Sequence, residues 1–135
     1  MATAGYSGTP LQKKLGFKPG MTAAFLDAPD GLERLLGELD GVSVKRSLRG
    51  SADIVLCFVI ARRDLERRAG RLREAIAPDG SVWVCWPKRA SKVPTDMTED
   101  VVRDVLLQTG LVDVKVAAVD ETWSGLKLVV RRELR

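Results

Sequence analysis

The sequence contains no histidine, and that absence removes much of the chemistry open to a protein. Nucleophile arrangements of the Ser-His-Asp and Cys-His kind need an imidazole to take the proton. Metal sites with a histidine ligand are excluded as well, and two cysteines are too few for a structural zinc site. Cys57 and Cys85 lie inside the two most apolar runs, where a thiol behaves as a small buried hydrophobe rather than as half of a disulfide or redox pair. Carboxylates, lysines, Tyr6, the cysteines or bound water are what remain for catalysis. Asp120 and Glu121 have the outline of an acid–base couple, but neighbours on a strand point to opposite faces. A turn suits them better. No catalytic, cofactor-binding or metal-ligating residue is expected.

Charge is the other source of chemistry. The net charge is +4, and it is unevenly placed. Residues 1–61 hold seven Lys/Arg against six Asp/Glu, residues 62–92 nine against four, and residues 93–135 six against eight. An anionic partner is therefore to be sought in the middle third. Two features stand out there. The loop "PKRASKVPT" carries Lys88, Arg89 and Lys92 with no acid before Asp96. It reads either as a solvated connector or as an anion-binding loop, since unstructured loops of this length are often functional. The stretch "RRDLERRAGRLREAIA" carries Arg62, Arg63, Arg67, Arg68, Arg71 and Arg73. Asp64 precedes Arg67 and Arg68 by three and four residues, and Glu66 follows Arg62 by four, the spacing of an ion-paired outer face. With no interleaved aromatics and no recognised motif, nucleic acid is not an expected partner.

The elements that must position these groups follow from periodicity. Leu11 to Leu15 suits a short helix ending at Gly16, and Met21 to Ala28 a strand. Asp30 can cap a helix with Glu33 as its reciprocal partner, burying Leu32, Leu35, Leu36 and Leu39 before Gly41. Val42 and Val44 alternate with polar residues, as on an edge strand. "DIVLCFV" (53–59) and "SVWVCW" (81–86) are continuously apolar, as strands covered on both faces should be. Between them lie a helix burying Leu65, Ala69, Leu72 and Ile76, and a turn at Pro78-Asp79-Gly80. A helix from about Met97 to Thr109 is capped by Asp96 or Thr98 and ends at Gly110. Strands over 113–120 and 126–132 are joined by "ETWSG". Strands alternating with helices predict an α/β domain with a mostly parallel sheet, only the last pair being antiparallel.

At 135 residues, 45% hydrophobic and 30% charged, the chain has the size and composition of one ordinary globular domain. Residues 1–10 read as a flexible arm and 11–135 as the single domain. The start lacks the pattern of a signal peptide, and no apolar run approaches the roughly 20 residues of a membrane span. A cytoplasmic location without membrane contact is expected.

These segments carry a family likeness. "LGFKPGMTAAFLD" resembles the opening of a class I S-adenosylmethionine methyltransferase. "SADIVLCFV" resembles its fourth strand, "LREAIAPDGSVWV" the helix, turn and fifth strand, and "LLQTGLVDVKVAAVDETWSGLKLVV" the last helix and hairpin. From Thr9 onward the chain also resembles a family of small uncharacterised bacterial proteins, on "TPLQKKLGFKPG", "WPKRAS", "TDMTEDVVR" and "LVDVKVAAVDETWSGLK". That closer resemblance implies a fold and no activity. The expected fold is a three-layer Rossmann-like, methyltransferase-like α/β domain with about six strands and an antiparallel C-terminal hairpin.

The departures from the resemblance carry as much as the matches. The turn after the first strand, glycine-rich in methyltransferases, here holds Ala28, Pro29 and Asp30, with one glycine at Gly31. The second strand ends in Lys45-Arg46-Ser47 where an acid usually takes the ribose hydroxyls, and the stretch before "DIVLCFV" is too short for a helix-strand-helix. Ligands of open α/β sheets bind beyond the carboxyl ends of the strands. The candidate ligand residues there are Asp27, Arg46, Trp86, Lys88, Arg89, Lys92, Trp123 and Ser124, with Arg62 and Glu121 nearby. Expected is a non-catalytic, regulatory or binding module without cofactor, taking a small anion or a protein partner at that edge. The alternative is a divergent transferase that binds S-adenosylmethionine or another nucleotide unconventionally.

Overall fold

The computed structural model describes residues 10–135. The arm expected over residues 1–10, apart from Pro10, and Tyr6 with it, lie outside the described residues. Six strands form one sheet in the order β2-β1-β3-β4-β6-β5. They are β1 (Thr22–Leu26), β2 (Ser43–Lys45), β3 (Ala52–Phe58), β4 (Ile76–Pro87), β5 (Leu111–Ala118) and β6 (Trp123–Val130). All pair in parallel except β6, which runs antiparallel to both β4 and β5. Helices α1 (Leu11–Leu15) and α2 (Leu32–Leu36) cover one face, and α3 (Arg62–Ala75) and α4 (Glu99–Leu106) the other. The expected α/β layering and antiparallel hairpin are present. Among the described residues no helix is long and apolar enough to cross a membrane.

The apolar runs became the strands covered on both sides. Val55, Cys57, Val82 and Val84 face α3 and α4, while Ile54, Leu56, Trp83 and Cys85 face α1 and α2. The two cysteines thus lie on opposite faces of the sheet, which rules out a disulfide between them. Six residues, 46–51, link β2 to β3, where a crossover between parallel strands commonly takes a dozen or more. The geometry explains the economy. The link must move two strand spacings sideways and about three residues back, roughly 14 Å in all, and seven Cα steps reach up to about 24 Å. A three-residue β2 is what keeps that distance short. Lys45 then donates to the carbonyls of Arg49 at 2.6 Å and Ser51 at 2.9 Å, and Arg71 to that of Leu48 at 3.0 Å.

Four local expectations need correction. The helix over 30–40 is only five residues long, because Gly31 (φ 89°) and Gly37 (φ 76°) take backbone conformations that end it. Gly31 stands at its N-cap, so Asp30 caps nothing and Glu33 pairs with Arg46 instead. Pro78-Asp79-Gly80 is no free turn. The helix runs straight into β4, and a register shift opposite Ala52 and Ile54 absorbs these residues. The last helix starts at Glu99 with Thr98 as its cap, its hydroxyl accepting from the Val101 N–H at 3.1 Å. Asp96 serves the other helix, accepting from the Arg62 N–H at 2.7 Å. Finally, Trp123, Ser124 and Gly125 belong to β6, and the hairpin turn is 119–122. Asp120 closes it by accepting from the N–H groups of Thr122 and Trp123 at 2.8 and 2.7 Å.

Trp83 anchors the α1 side of the core. Its indole is fully buried, and Nε1–H donates to the Leu15 carbonyl at 2.9 Å, so the ring cannot turn without losing that bond. The neighbouring strand makes room with Gly125, where an added Cβ would come within 3.1 Å of the indole. Gly125→Ala is therefore expected to destabilise the fold by about 1–3 kcal/mol through overpacking, read as a lower denaturant midpoint at unchanged slope. An unchanged midpoint would show that the indole shifts freely. Both thiols are fully buried, and burial pushes Cys57 up to about 11, with Arg68 pulling weakly the other way. Labelling of Cys57 and Cys85 by a thiol reagent at neutral pH should proceed only as fast as the protein opens; rapid native-state labelling would contradict this packing.

Candidate functional site

Strands β1 to β4 are parallel, so their carboxyl ends form one edge of the sheet. At the end of β1 stands Asp27 with φ 53°, a left-handed conformation that aspartate tolerates better than most residues. Its carboxylate accepts from Arg68 Nη2 at 2.6 Å, and Arg68 Nη1 lies 3.7 Å from Cys57 Sγ on the adjacent strand. Burial opposes the charge on Arg68, but the bonds to Asp27 and Cys57 outweigh it and hold the guanidinium protonated. The next residues, Ala28 and Pro29, bring side chains, and proline has no N–H to offer an anion. A ligand laid along this turn meets an ion pair and side chains, not bare backbone.

Arg46, just beyond β2, is also engaged. It pairs with Glu33, whose carboxyl is held below its ordinary range by that hydrogen bond, and stacks 5.5 Å from the centre of the Phe25 ring. β2 is three places from β4 in the sheet, a lateral distance of roughly 14 Å at the usual strand spacing. Arg46 therefore does not join the basic loop. The residues at the positions of a conventional S-adenosylmethionine site differ from its pattern: Ala28, Pro29 and Asp30 stand in the turn after β1, and Arg46 follows β2 where an acid would take the ribose hydroxyls.

Beyond β4 the arrangement differs. Residues 89–91 form a single 3-10 turn, and Lys92 follows with φ 64°. The segment is pinned along its length. The Lys88 N–H donates to the Thr122 carbonyl at 2.7 Å, the Ser91 hydroxyl to the Lys88 carbonyl at 2.6 Å, and the Thr95 hydroxyl to the Ile60 carbonyl. Between this segment and the start of α4 lies a concavity of about 480 Å³, lined by Trp86, Arg89, Lys92, Val93, Pro94 and Met97 among others. Such a volume is typical of small-molecule sites. Among the described residues no acid pairs with Lys88, Arg89 or Lys92. Four of the six arginines of α3 behave otherwise: Arg62 pairs with Glu66 and Asp104, Arg67 with Asp64, Arg68 with Asp27 and Arg71 with Glu74. A second hollow of about 550 Å³ on α4 is lined by Asp100, Arg103 and Asp104, all ion-paired.

Of the eight candidates, the structure brings Trp86, Arg89 and Lys92 together. Lys88 is adjacent in sequence but is not among the lining residues. Ser124 pairs across the ladder with Trp86. Trp123 belongs to the opposite face, edge-on to Phe58 at 5.1 Å, beside a hollow of about 120 Å³ near Asp30 and Asp120. Sequence reasoning missed Arg68 as the partner of Asp27, because the pair spans 41 positions and no local spacing announces it. It also missed the apolar wall of Val93, Pro94 and Met97; Met97 was counted into the following helix but lies before it, 3% exposed.

No protein-family model and no curated protein matches the sequence. Solved structures do. A SAM-dependent methyltransferase from Aquifex aeolicus superposes with a TM-score of 0.59 at 17% identity, over 89% of this chain and 88% of that one. A ribosomal protein L11 methylase from Lactobacillus delbrueckii subsp. bulgaricus gives 0.59 at 12% identity, over 90% and 76%. An enzyme described as catalysing a pericyclic reaction gives 0.56 at 11% identity, over 90% and 39%. Likeness at these identities speaks for fold alone, and the same fold carries different chemistries. The chain has the α/β fold of the class I methyltransferases in shortened form.

Proposed function

We propose that this protein is a binding module that recognises a small anion at the carboxyl edge of its sheet, through the segment after β4. One observation carries the reading. Arg89 and Lys92 line a concavity and lack an acidic partner among the described residues, while the cations nearest the β1 end of the edge, Arg46 and Arg68, are both paired. An unpaired cation held by a pinned loop is available to a ligand. A paired one must first give up its carboxylate. Charge-assisted hydrogen bonds contribute about 1.5–3 kcal/mol each, so two of them support binding of simple anions in about the millimolar range. A divergent transferase is the second reading, and the likeness of fold is what favours it.

The proposal is tested by thermal denaturation with inorganic phosphate and sulfate, since specific binding raises the melting temperature by mass action. The wild type should show a saturable upward shift. Arg89→Ala/Lys92→Ala should abolish it while leaving the melting temperature without anion within about 2 °C, because both side chains are exposed and unpaired. Lys88→Ala, outside the concavity, should keep most of the shift. A shift of equal size in the double variant would refute the assignment.

A further inference from the structure

The concavity beside the 88–98 segment offers more than charge. Trp86, Val93, Pro94 and Met97 give it an apolar wall, with Trp86 only 7% exposed and Met97 3%. Its other polar side chains each have a partner. The Thr95 hydroxyl donates to the Ile60 carbonyl and accepts from the Met97 N–H at 3.0 Å. The Thr98 hydroxyl caps α4 by accepting from the Val101 N–H. Glu99 is held by Arg103. Two cations and a hydrocarbon surface are therefore what a ligand finds here. Ile60, whose carbonyl accepts from the Thr95 hydroxyl, is 46% exposed.

That composition selects a ligand class. An inorganic anion would satisfy Arg89 and Lys92 but leave the hydrocarbon wall wet. A sugar or ribose would bring hydroxyls to groups that already have their partners, and would lose hydrogen bonds to water. A molecule with one anionic head and a hydrocarbon body meets both surfaces at once, and about 480 Å³ accommodates a body of several carbons. We infer that the site takes a small amphiphilic acid, its carboxylate or phosphate on Arg89 and Lys92 and its hydrocarbon body against Trp86, Val93, Pro94 and Met97. The inference rests on the anion-binding reading above and names the ligand class of that site.

Calorimetric titration with acetate, butanoate, hexanoate, hexyl phosphate, inorganic phosphate and hexanol tests it on the intact protein. Each fully buried methylene is worth about 0.8 kcal/mol, or roughly fourfold in affinity, and hexanoate should bind at least tenfold tighter than acetate even with partial burial. Hexanol, with a body and no charge, should bind far more weakly than hexanoate. The comparison of hexanoate with hexyl phosphate tells which head the site prefers. Arg89→Ala/Lys92→Ala should lose both acids, and in the wild type the Trp86 indole N–H resonance should move with hexanoate but not with acetate. If phosphate and acetate bind as tightly as hexanoate, the amphiphile inference is overturned while the anion reading stands. If hexanoate binds the double variant as well as the wild type, or nothing binds at all, both fall.

Discussion

At the end of β1, Asp27 holds a left-handed backbone conformation and its carboxylate lies 2.6 Å from Arg68, a residue 41 positions further on. The contact closes the charges at the β1 end of the sheet's carboxyl edge on each other. The pair joins the end of β1 to α3 and leaves Cys57 beneath a guanidinium. It is partly open to solvent, so its contribution to stability is about 1 kcal/mol at most. Its consequence is spatial. At the β1 end of the edge Arg46 and Arg68 are engaged by carboxylates, whereas Arg89 and Lys92 beyond β4 have no ion pair among the described residues. The same contact takes one of the arginines of α3 out of play, and acids pair with Arg62, Arg67 and Arg71. Four of the six arginines on this helix are thereby ion-paired.

The remainder of the fold is economical in a way that fits this arrangement. A six-residue link replaces a larger crossover, and it works only because β2 is three residues long and its last residue, Lys45, ties down the carbonyls of the link. On the other face, one buried indole bonded to Leu15 and admitted by Gly125 fastens α1 to the centre of the sheet. A complete α/β sheet is thus held with little chain outside it. The exception is the pinned segment between β4 and α4, where chain length goes into a loop with a concavity beside it.

Much of the fold was legible because its signals are local. Continuous apolar runs gave β3 and the core of β4, and the arginine-rich helix showed its buried stripe of Leu65, Ala69 and Leu72. The shortness of the crossover could be counted. What escaped depends on backbone geometry or on distant partners. A leucine pattern promised a long helix after Asp30, but Gly31 and Gly37 decided its length by their conformations. Asp96 and Thr98 were equivalent caps in sequence and serve different helices in space. For the site, the basic loop was visible as a run without acids. Its separation from Arg46 required the strand order, and its apolar wall required knowing that Met97 is buried ahead of the helix.

The central claim is that recognition lies at the end of β4 and not at the end of β1. Amide-resolved nuclear magnetic resonance titration of the labelled protein tests it directly, with inorganic phosphate in one series and S-adenosylmethionine in the other. Phosphate should move the amides of residues 88–98 saturably, and S-adenosylmethionine should leave those of residues 27–32 in place. Saturable shifts centred on residues 27–32 with S-adenosylmethionine, and a silent 88–98 segment with phosphate, would contradict the account.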